Sequence, residues 1–166
     1  CGLSHLHHAK PKVFHRDIKS PNMLLDKNGT AKMADFGLAC LSHGPAHRVK
    51  QASGTVGYAC PLYVQRGLVT EGSEVYSFGM VLLELLTASP PAYMAPPVGG
   101  GANQVQYLAN HINGDIRIAL SLADARASWQ PAAARAVAEL ALSCTAMQEE
   151  RRPGFTEVVR ALRTIH

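Results

Sequence analysis

Two short stretches hold the residues best suited to chemistry. They are His15-Arg16-Asp17-Ile18-Lys19-Ser20-Pro21-Asn22 and, thirteen positions after Asn22, Asp35-Phe36-Gly37. Between them lie two short runs, Met23-Leu24-Leu25 and Thr30-Ala31-Lys32-Met33, flanking Asp26-Lys27-Asn28-Gly29. Apolar runs on either side of an Asn-Gly predict a β-hairpin. A hairpin returns its ends to one place, so Asn22 and Asp35 should emerge side by side. An amide oxygen and a carboxylate converging on one point suit a hard, oxygen-seeking cation such as Mg²⁺. Asp17 and Lys19 share one loop and offer a carboxylate beside an ammonium. Transfer of a phosphoryl group to a hydroxyl needs such a set: one group to orient the hydroxyl and take its proton, and cations to neutralise phosphate oxygens.

These residues need a scaffold, and the pattern around them is mostly helical. Residues 2–9 read as the end of a helix, stopped near Lys10-Pro11 because the residue before a proline avoids the helical region. Val13-Phe14 is a short apolar patch. Residues 35–63, rich in Gly, Ser, His and Pro, form a long connection of the functional or mobile kind. Val75 to Thr87 is apolar almost all round, as in a helix buried on most sides; Val81, Leu82, Leu83, Leu85 and Leu86 are read as core. Residues 89–103, with four prolines and Gly99-Gly100-Gly101, predict a flexible surface loop, and Gln104–Ile112 a helix. Ser128 is placed as the cap of a helix with Pro131 in its first turn. There Val137, Leu140, Ala141 and Cys144 fall on one apolar face. Thr156 is placed as the cap of a last helix with Val159, Leu162 and Ile165 inward. No internal repeat is present.

Composition narrows the field. A chain of 166 residues is one domain at most. Ala supplies 24 of the residues behind the 47% hydrophobic fraction, so core-forming content is lower than that fraction suggests. Sixteen Lys and Arg against 12 Asp and Glu leave +4, too mild an excess to imply nucleic acid. The longest apolar run, within Phe78-Gly79-Met80-Val81-Leu82-Leu83, is stopped by Glu84. It falls far short of the roughly 20 residues that span a bilayer. Cys1, Cys40, Cys60 and Cys144 form no Cys-x-x-Cys pair, which disfavours a zinc ribbon or disulfide framework and fits a reducing setting. The start at Cys1 rather than Met, already inside a helical pattern, leads us to expect a piece of a longer chain.

With these residues in hand, the sequence resembles the eukaryotic protein kinase family. The first two stretches are similar to its catalytic loop and metal-binding Asp-Phe-Gly. Gly54-Thr55-Val56-Gly57-Tyr58-Ala59-Cys60-Pro61 resembles the substrate-side end of the activation segment. Glu74-Val75-Tyr76-Ser77-Phe78-Gly79 resembles the start of the central buried helix, and Arg152-Pro153-Gly154-Phe155 the closing motif. Together, in the family's order, these motifs carry far more weight than any one alone. Lys19 and the Gly-Thr-x-Gly-Tyr stretch resemble serine/threonine kinases, and the residues around Val75 and Leu142-Ser143-Cys144 resemble tyrosine-kinase-like and receptor-like members.

The resemblance implies a mainly α fold with a small β-hairpin, the C-terminal large lobe of a kinase, residues 1–166 being a partial kinase domain. It implies ATP and Mg²⁺ as cofactors, a protein substrate, no nucleic-acid partner, and a place in the cytoplasm or on the cytoplasmic side of a membrane. Asp17 would orient the substrate hydroxyl and accept its proton. Lys19 would steady the transferring phosphoryl, Thr55 would bridge Asp17 and Lys19, and Asn22 with Asp35 would hold the metal. Arg16 would pair with a phosphate on the activation segment, with Ser53 the first acceptor and Ser42 the second.

Departures from the family pattern set further expectations. Leu62 stands where a glutamate normally pairs with the arginine matched by Arg152. Arg152 should then swing to solvent or take Glu149 or Glu150 as partner. Glu74 replaces an aspartate that braces the catalytic-loop backbone, and its extra methylene is expected to loosen that brace. The 166 residues contain no Gly-x-Gly-x-x-Gly loop, so a small lobe is expected upstream, with the isolated piece poorly soluble and inactive. A catalytically dead kinase-like scaffold is the alternative function, and a small-molecule kinase a remote third. His5, His7 and His8 lack a carboxylate or Cys at ligand spacing and are not read as a metal site. His15 is read as a packed histidine, and Cys40 and Cys60 as inert. His43, His47, Arg48 and Lys50 make the activation segment basic, without the aromatics a nucleic-acid surface would interleave.

Overall fold

A computed structural model describes residues 2–97 and 99–165; Cys1, Val98 and His166 lie outside them. Helix α1 (Gly2–His8) precedes strand β1 (Lys12–Phe14), and the predicted hairpin is β2 (Met23–Leu25) and β3 (Ala31–Met33), paired Met23 to Met33. Asp26 closes its turn by accepting the backbone N–H groups of Asn28 and Thr30. Strand β4 (Cys40–Ser42) pairs antiparallel with β1, and β5 (Ala46–Arg48) with β6 (Leu68–Thr70). The first half of the stretch 35–63 is therefore ordered by two short ladders rather than being one unstructured connection. Helix α2 (Pro61–Arg66) closes it, ending on Gly67 at φ 62°.

The centre of the molecule is α3 (Glu71–Thr87). Thr70 caps it by accepting the Ser73 N–H, and the Ser73 hydroxyl returns the favour to the Thr70 N–H. Val75, Met80, Leu83 and Leu86 are fully buried along it, whereas Leu85, read as core, faces out at 58% exposure. An all-round apolar pattern hides which positions face outward. Helix α6 (Pro131–Cys144) lies against α3 with Val137, Leu140, Ala141 and Cys144 inward, as its spacing predicts. The two backbones meet at Gly79, where an added Cβ would sit 2.6 Å from Cys144 Cβ and 2.8 Å from Thr145 Cγ2. Only glycine allows that approach.

Three local expectations are corrected. Within 89–103, strand β7 (Ala92–Ala95) pairs with β8 (Gln104–Tyr107), so the predicted loop is partly hairpin and α4 starts only at Leu108 (Leu108–Ile112). Its Tyr, Met and Val side chains favour a ladder over a helix, and the consecutive positive φ angles of Gly99, Gly100 and Gly101 turn the chain. Helix α5 (Ile116–Ser121) follows, capped by Asp115. Ser128 does not cap α6; it sits at φ 50° after a short turn, and Gln130 precedes Pro131, which has no N–H to satisfy. Helix α7 (Phe155–Leu162) starts one residue before Thr156: Glu157 reaches back to the Gly154 N–H at 2.7 Å, and Phe155 and Val158 form the buried face. Helix is the main regular structure, though under half of the chain, and four two-stranded antiparallel sheets stand where one hairpin was expected. Among the described residues no helix is long and apolar enough to cross a membrane.

Candidate functional site

The loop after β1 carries Asp17 between a packed histidine and a short turn. His15 is fully buried and holds the Ala34 carbonyl at 3.0 Å, which binds the loop to the far end of the hairpin. Arg16 takes φ 69°, a conformation a bulky residue adopts only when its surroundings impose it. The constraint is visible: its backbone N–H donates to Glu74 Oε1 at 2.5 Å. Glu74 Oε2 lies 2.7 Å from His7 Nε2, and both side chains are buried. The longer side chain therefore serves two partners, and the brace expected to slacken is instead tied at both oxygens. His7 is packed between the rings of Phe14 and Phe155.

Asp17 stands at the centre of a closed set of polar contacts. The Lys19 ammonium is 2.7 Å from Asp17 Oδ2 and donates to Thr55 Oγ1 at 2.9 Å. The Thr55 hydroxyl in turn donates to Asp17 Oδ1 at 2.7 Å. Asn22 Nδ2 donates to the Asp17 carbonyl at 2.9 Å and to Oδ2 at 3.3 Å. Burial pushes the Asp17 carboxyl up. The Lys19 and Thr55 hydrogen bonds, the ammonium charge and the Asn22 amide outweigh that and hold it below the ordinary carboxylate value. Asp17 is thus ionised throughout the neutral range.

Asn22 and Asp35 are joined through the base of the hairpin, where the Ala34 N–H donates to the Asn22 carbonyl at 2.8 Å. With its amide nitrogen committed to Asp17, Asn22 Oδ1 has no hydrogen-bond partner among the described residues. Asp35 holds φ 60° and, among the described residues, accepts only the Gly37 N–H at 3.3 Å. Two oxygen donors with spare lone pairs fit a hard cation that completes its shell elsewhere. Among the described residues no group of three or more His, Cys, Asp or Glu is placed to hold a metal ion. Leu24 and Leu25, beside Asn22 on β2, are 55% and 72% exposed.

The segment carrying Thr55 is pinned on both sides. Tyr58 donates to Glu84 on α3 at 2.7 Å and lies 3.2 Å from the Ser20 hydroxyl. Burial pushes its phenol up to about 12, with Glu84 adding to the rise and Ser20 opposing it. Gly57, at φ 90°, passes so close to Pro91 that a Cβ would come within 2.9 Å of its backbone. Beside it opens a cavity of about 720 Å³ that includes Gly54, Val56, Gly57 and Tyr107.

Sequence reasoning missed Tyr63. Its hydroxyl accepts from Arg16 Nε and Nη2 and from the Ser53 N–H, each at 3.1 Å. Arg16 also donates to the carbonyls of Leu38 and Gln51, clasping both ends of the intervening segment. Nothing in the spacing of a tyrosine two residues after Pro61 announces this contact. Ser42, the second proposed acceptor, is buried and donates to the carbonyls of Gly44 and Ala46, so it is not accessible here. Burial pushes the Cys40 thiol up, against the pull of the Arg16 charge.

Arg152 follows neither expected course. It stays buried, donating to the carbonyls of Ala146 and Gly72 and to Cys60 Sγ. Glu149 instead takes the Thr70 hydroxyl. Guanidinium fits among carbonyls, sulfur and the Tyr76 ring because its donors are spread in a plane that a single carboxylate need not satisfy.

The chain is 39% identical over 99% of its length to Probable serine/threonine-protein kinase PBL11 of Arabidopsis thaliana, covering 43% of that protein. It is 40% identical over 97% of its length to Receptor-like cytoplasmic kinase 176 of Oryza sativa subsp. japonica, covering 41% of it. It is 38% identical over 97% of its length to Probable leucine-rich repeat receptor-like protein kinase At5g63930 of Arabidopsis thaliana, covering 15% of it. The chain thus spans less than half the length of these relatives. A sequence model of the protein kinase domain matches residues 1–162, and the chain belongs to that family.

Proposed function

We propose that the protein carrying this chain is a serine/threonine kinase that transfers the γ-phosphoryl group of ATP to Ser or Thr hydroxyls of proteins, and that this chain is the large lobe of its kinase domain. The observation that carries the reading is the triangle of Asp17, Lys19 and Thr55, a carboxylate held ionised beside an ammonium and a hydroxyl. Asp17 orients the acceptor hydroxyl and receives its proton, and Lys19 offsets negative charge on the phosphoryl oxygens. Asn22 Oδ1 and the Asp35 carboxylate would hold Mg²⁺, which supplies charge neutralisation on the phosphates when bound. Leu24 and Leu25 offer an apolar face beside those donors, suited to cover by a small lobe. The cavity beside Gly57 suits a polypeptide running past Thr55. Ser53 shares Tyr63 with Arg16, which supports it as the site whose phosphate the guanidinium would hold.

The test is Asp17→Asn in the complete protein. Mg²⁺-dependent ATP binding should persist while phosphoryl transfer to a generic Ser/Thr peptide pool is lost. A wild-type protein that binds no nucleotide would overturn the reading in favour of a kinase-like scaffold.

A further inference from the structure

Arg152 is a buried guanidinium that forms no ion pair among the described residues. Nε donates to the Ala146 carbonyl at 2.8 Å, and Nη1 to the Gly72 carbonyl at 2.9 Å and to Cys60 Sγ at 3.2 Å. The Tyr76 ring covers one face, 5.1 Å from the guanidinium carbon. Nη2 donates to nothing among the described residues, yet it is not one of the buried atoms sealed from solvent. Arg152 lines a cavity of about 630 Å³ between α2, the start of α3 and the turn before α7.

We propose that this cavity binds a small carboxylate monoanion, one oxygen on Arg152 Nη2 and a short alkyl chain against Leu62, Met147 and Pro153. A charge buried without a counter-charge is held at high free energy, and an anion that reaches it is bound in a medium where attraction is strong. With Nε and Nη1 already committed, one nitrogen is free, which matches a single oxygen rather than a bidentate clasp. The wall also carries Glu71, Glu149 and Glu150. Glu71 is engaged by the Phe155 N–H and Lys12, and Glu149 by the Thr70 hydroxyl, so neither turns to Arg152. Their charges repel a dianion such as sulfate or phosphate more than a monoanion, and Arg66 at the rim partly offsets them. The apolar wall selects for an alkyl chain.

Thermal denaturation of the intact protein at fixed ionic strength tests this, with sodium butyrate as the probe against sodium sulfate and sodium chloride. The expected result is a saturable rise in Tm with butyrate that sulfate and chloride do not reproduce. Saturation-transfer NMR should show the butyrate methyl in contact with the protein. Leu62→Glu, which supplies a carboxylate from the chain itself, should raise Tm without ligand and abolish both responses. Leu62→Met, similar in size, uncharged and apolar, should keep them. No saturable response in wild type, an equal response to sulfate, or a Leu62→Glu variant that binds butyrate as wild type does would each overturn the proposal. None of these readouts requires phosphoryl transfer, so the outcome is independent of the proposed activity.

Discussion

Glu74, on the first turns of the central helix, takes the backbone N–H of Arg16 across 58 residues of sequence. The same carboxylate holds His7 with its other oxygen. One buried side chain thus joins α1, the loop bearing Asp17 and α3, and it does so where Arg16 has a backbone conformation it would not otherwise keep. Each buried donor left without its acceptor costs about 1–3 kcal/mol, so stranding both costs about 2–6 kcal/mol. Glu74→Ala should lose stability on that scale. Glu74→Asp should lose less, about 1–3 kcal/mol, because the shorter arm cannot serve both His7 and Arg16 and strands one of them. Urea denaturation of the three proteins gives the ranking, and an aspartate variant as stable as wild type would show that the second oxygen is idle.

Gly79→Ala sets helix propensity against packing. Alanine is favoured over glycine inside a helix by about 1 kcal/mol. Here the new methyl would stand 2.6 Å from Cys144 Cβ, with Thr145 and the Ala141 carbonyl closing the remaining space. Overpacking of this kind costs about 1–3 kcal/mol or more. The expected net change is a loss of stability, read as a lower denaturation midpoint. A gain would mean that α6 slides away from α3 without penalty.

The ionised Asp17 has a pH signature. Its folded-state value lies below the ordinary 3.8, so its contribution to stability is fully present above that value and is lost as pH falls through the lowered one. The stability difference between wild type and Asp17→Asn should therefore be flat through the neutral range and shrink only in acid. A carboxyl-resolved NMR titration placing the Asp17 midpoint above 3.8 would contradict the triangle of contacts.

At the alkaline end the sign reverses. The Tyr58 and Tyr76 phenols are both pushed up to about 12, burial being the first cause in each. A raised phenol contributes stability that is whole below its ordinary value of 10 and is lost as pH climbs through 12. Tyr58→Phe should flatten part of that alkaline loss and, by removing the bond to Glu84, cost about 1 kcal/mol at neutral pH. Equilibrium denaturation at neutral and alkaline pH measures both effects.

What the sequence revealed and what it concealed divide along physical lines. The hairpin from Met23 to Met33 was legible because an Asn-Gly between apolar runs is a local signal, and local signals decide turns. The inward face of α6 was legible because its period is regular. The β7–β8 hairpin was hidden by a proline- and glycine-rich stretch whose strands are fixed by pairing rather than by propensity. Tyr63, His7 and the setting of Arg152 were hidden for another reason: each has a partner between 47 and 92 residues away, and no spacing rule reaches that far. The motif residues Asp17, Lys19 and Asn22 could be named from the chain, but the hydroxyl bridge that locks them is a tertiary contact.

That bridge supports the last prediction, which rests on the proposed activity. Among the described residues the Thr55 hydroxyl is the one group bonded to both the Asp17 and the Lys19 side chain, and it arrives from a segment that also faces the cavity beside Gly57. Thr55→Ala removes the bridge and leaves Asp17 and Lys19 in direct contact at 2.7 Å, free to rotate as a pair. A carboxylate that still binds its ammonium but no longer points at the acceptor should lower kcat by about 10–100-fold, the effect of losing roughly 1.4–2.7 kcal/mol of orientation in the transition state. The KM for ATP should hold, because the residues suited to the metal and its phosphates lie on the hairpin and not on this segment. Thr55→Ser keeps the hydroxyl and should retain most of the rate. Steady-state kinetics of the complete protein with a generic peptide acceptor separate these outcomes. Equal losses in Thr55→Ser and Thr55→Ala would move the explanation from the hydrogen bond to the packing of the threonine methyl.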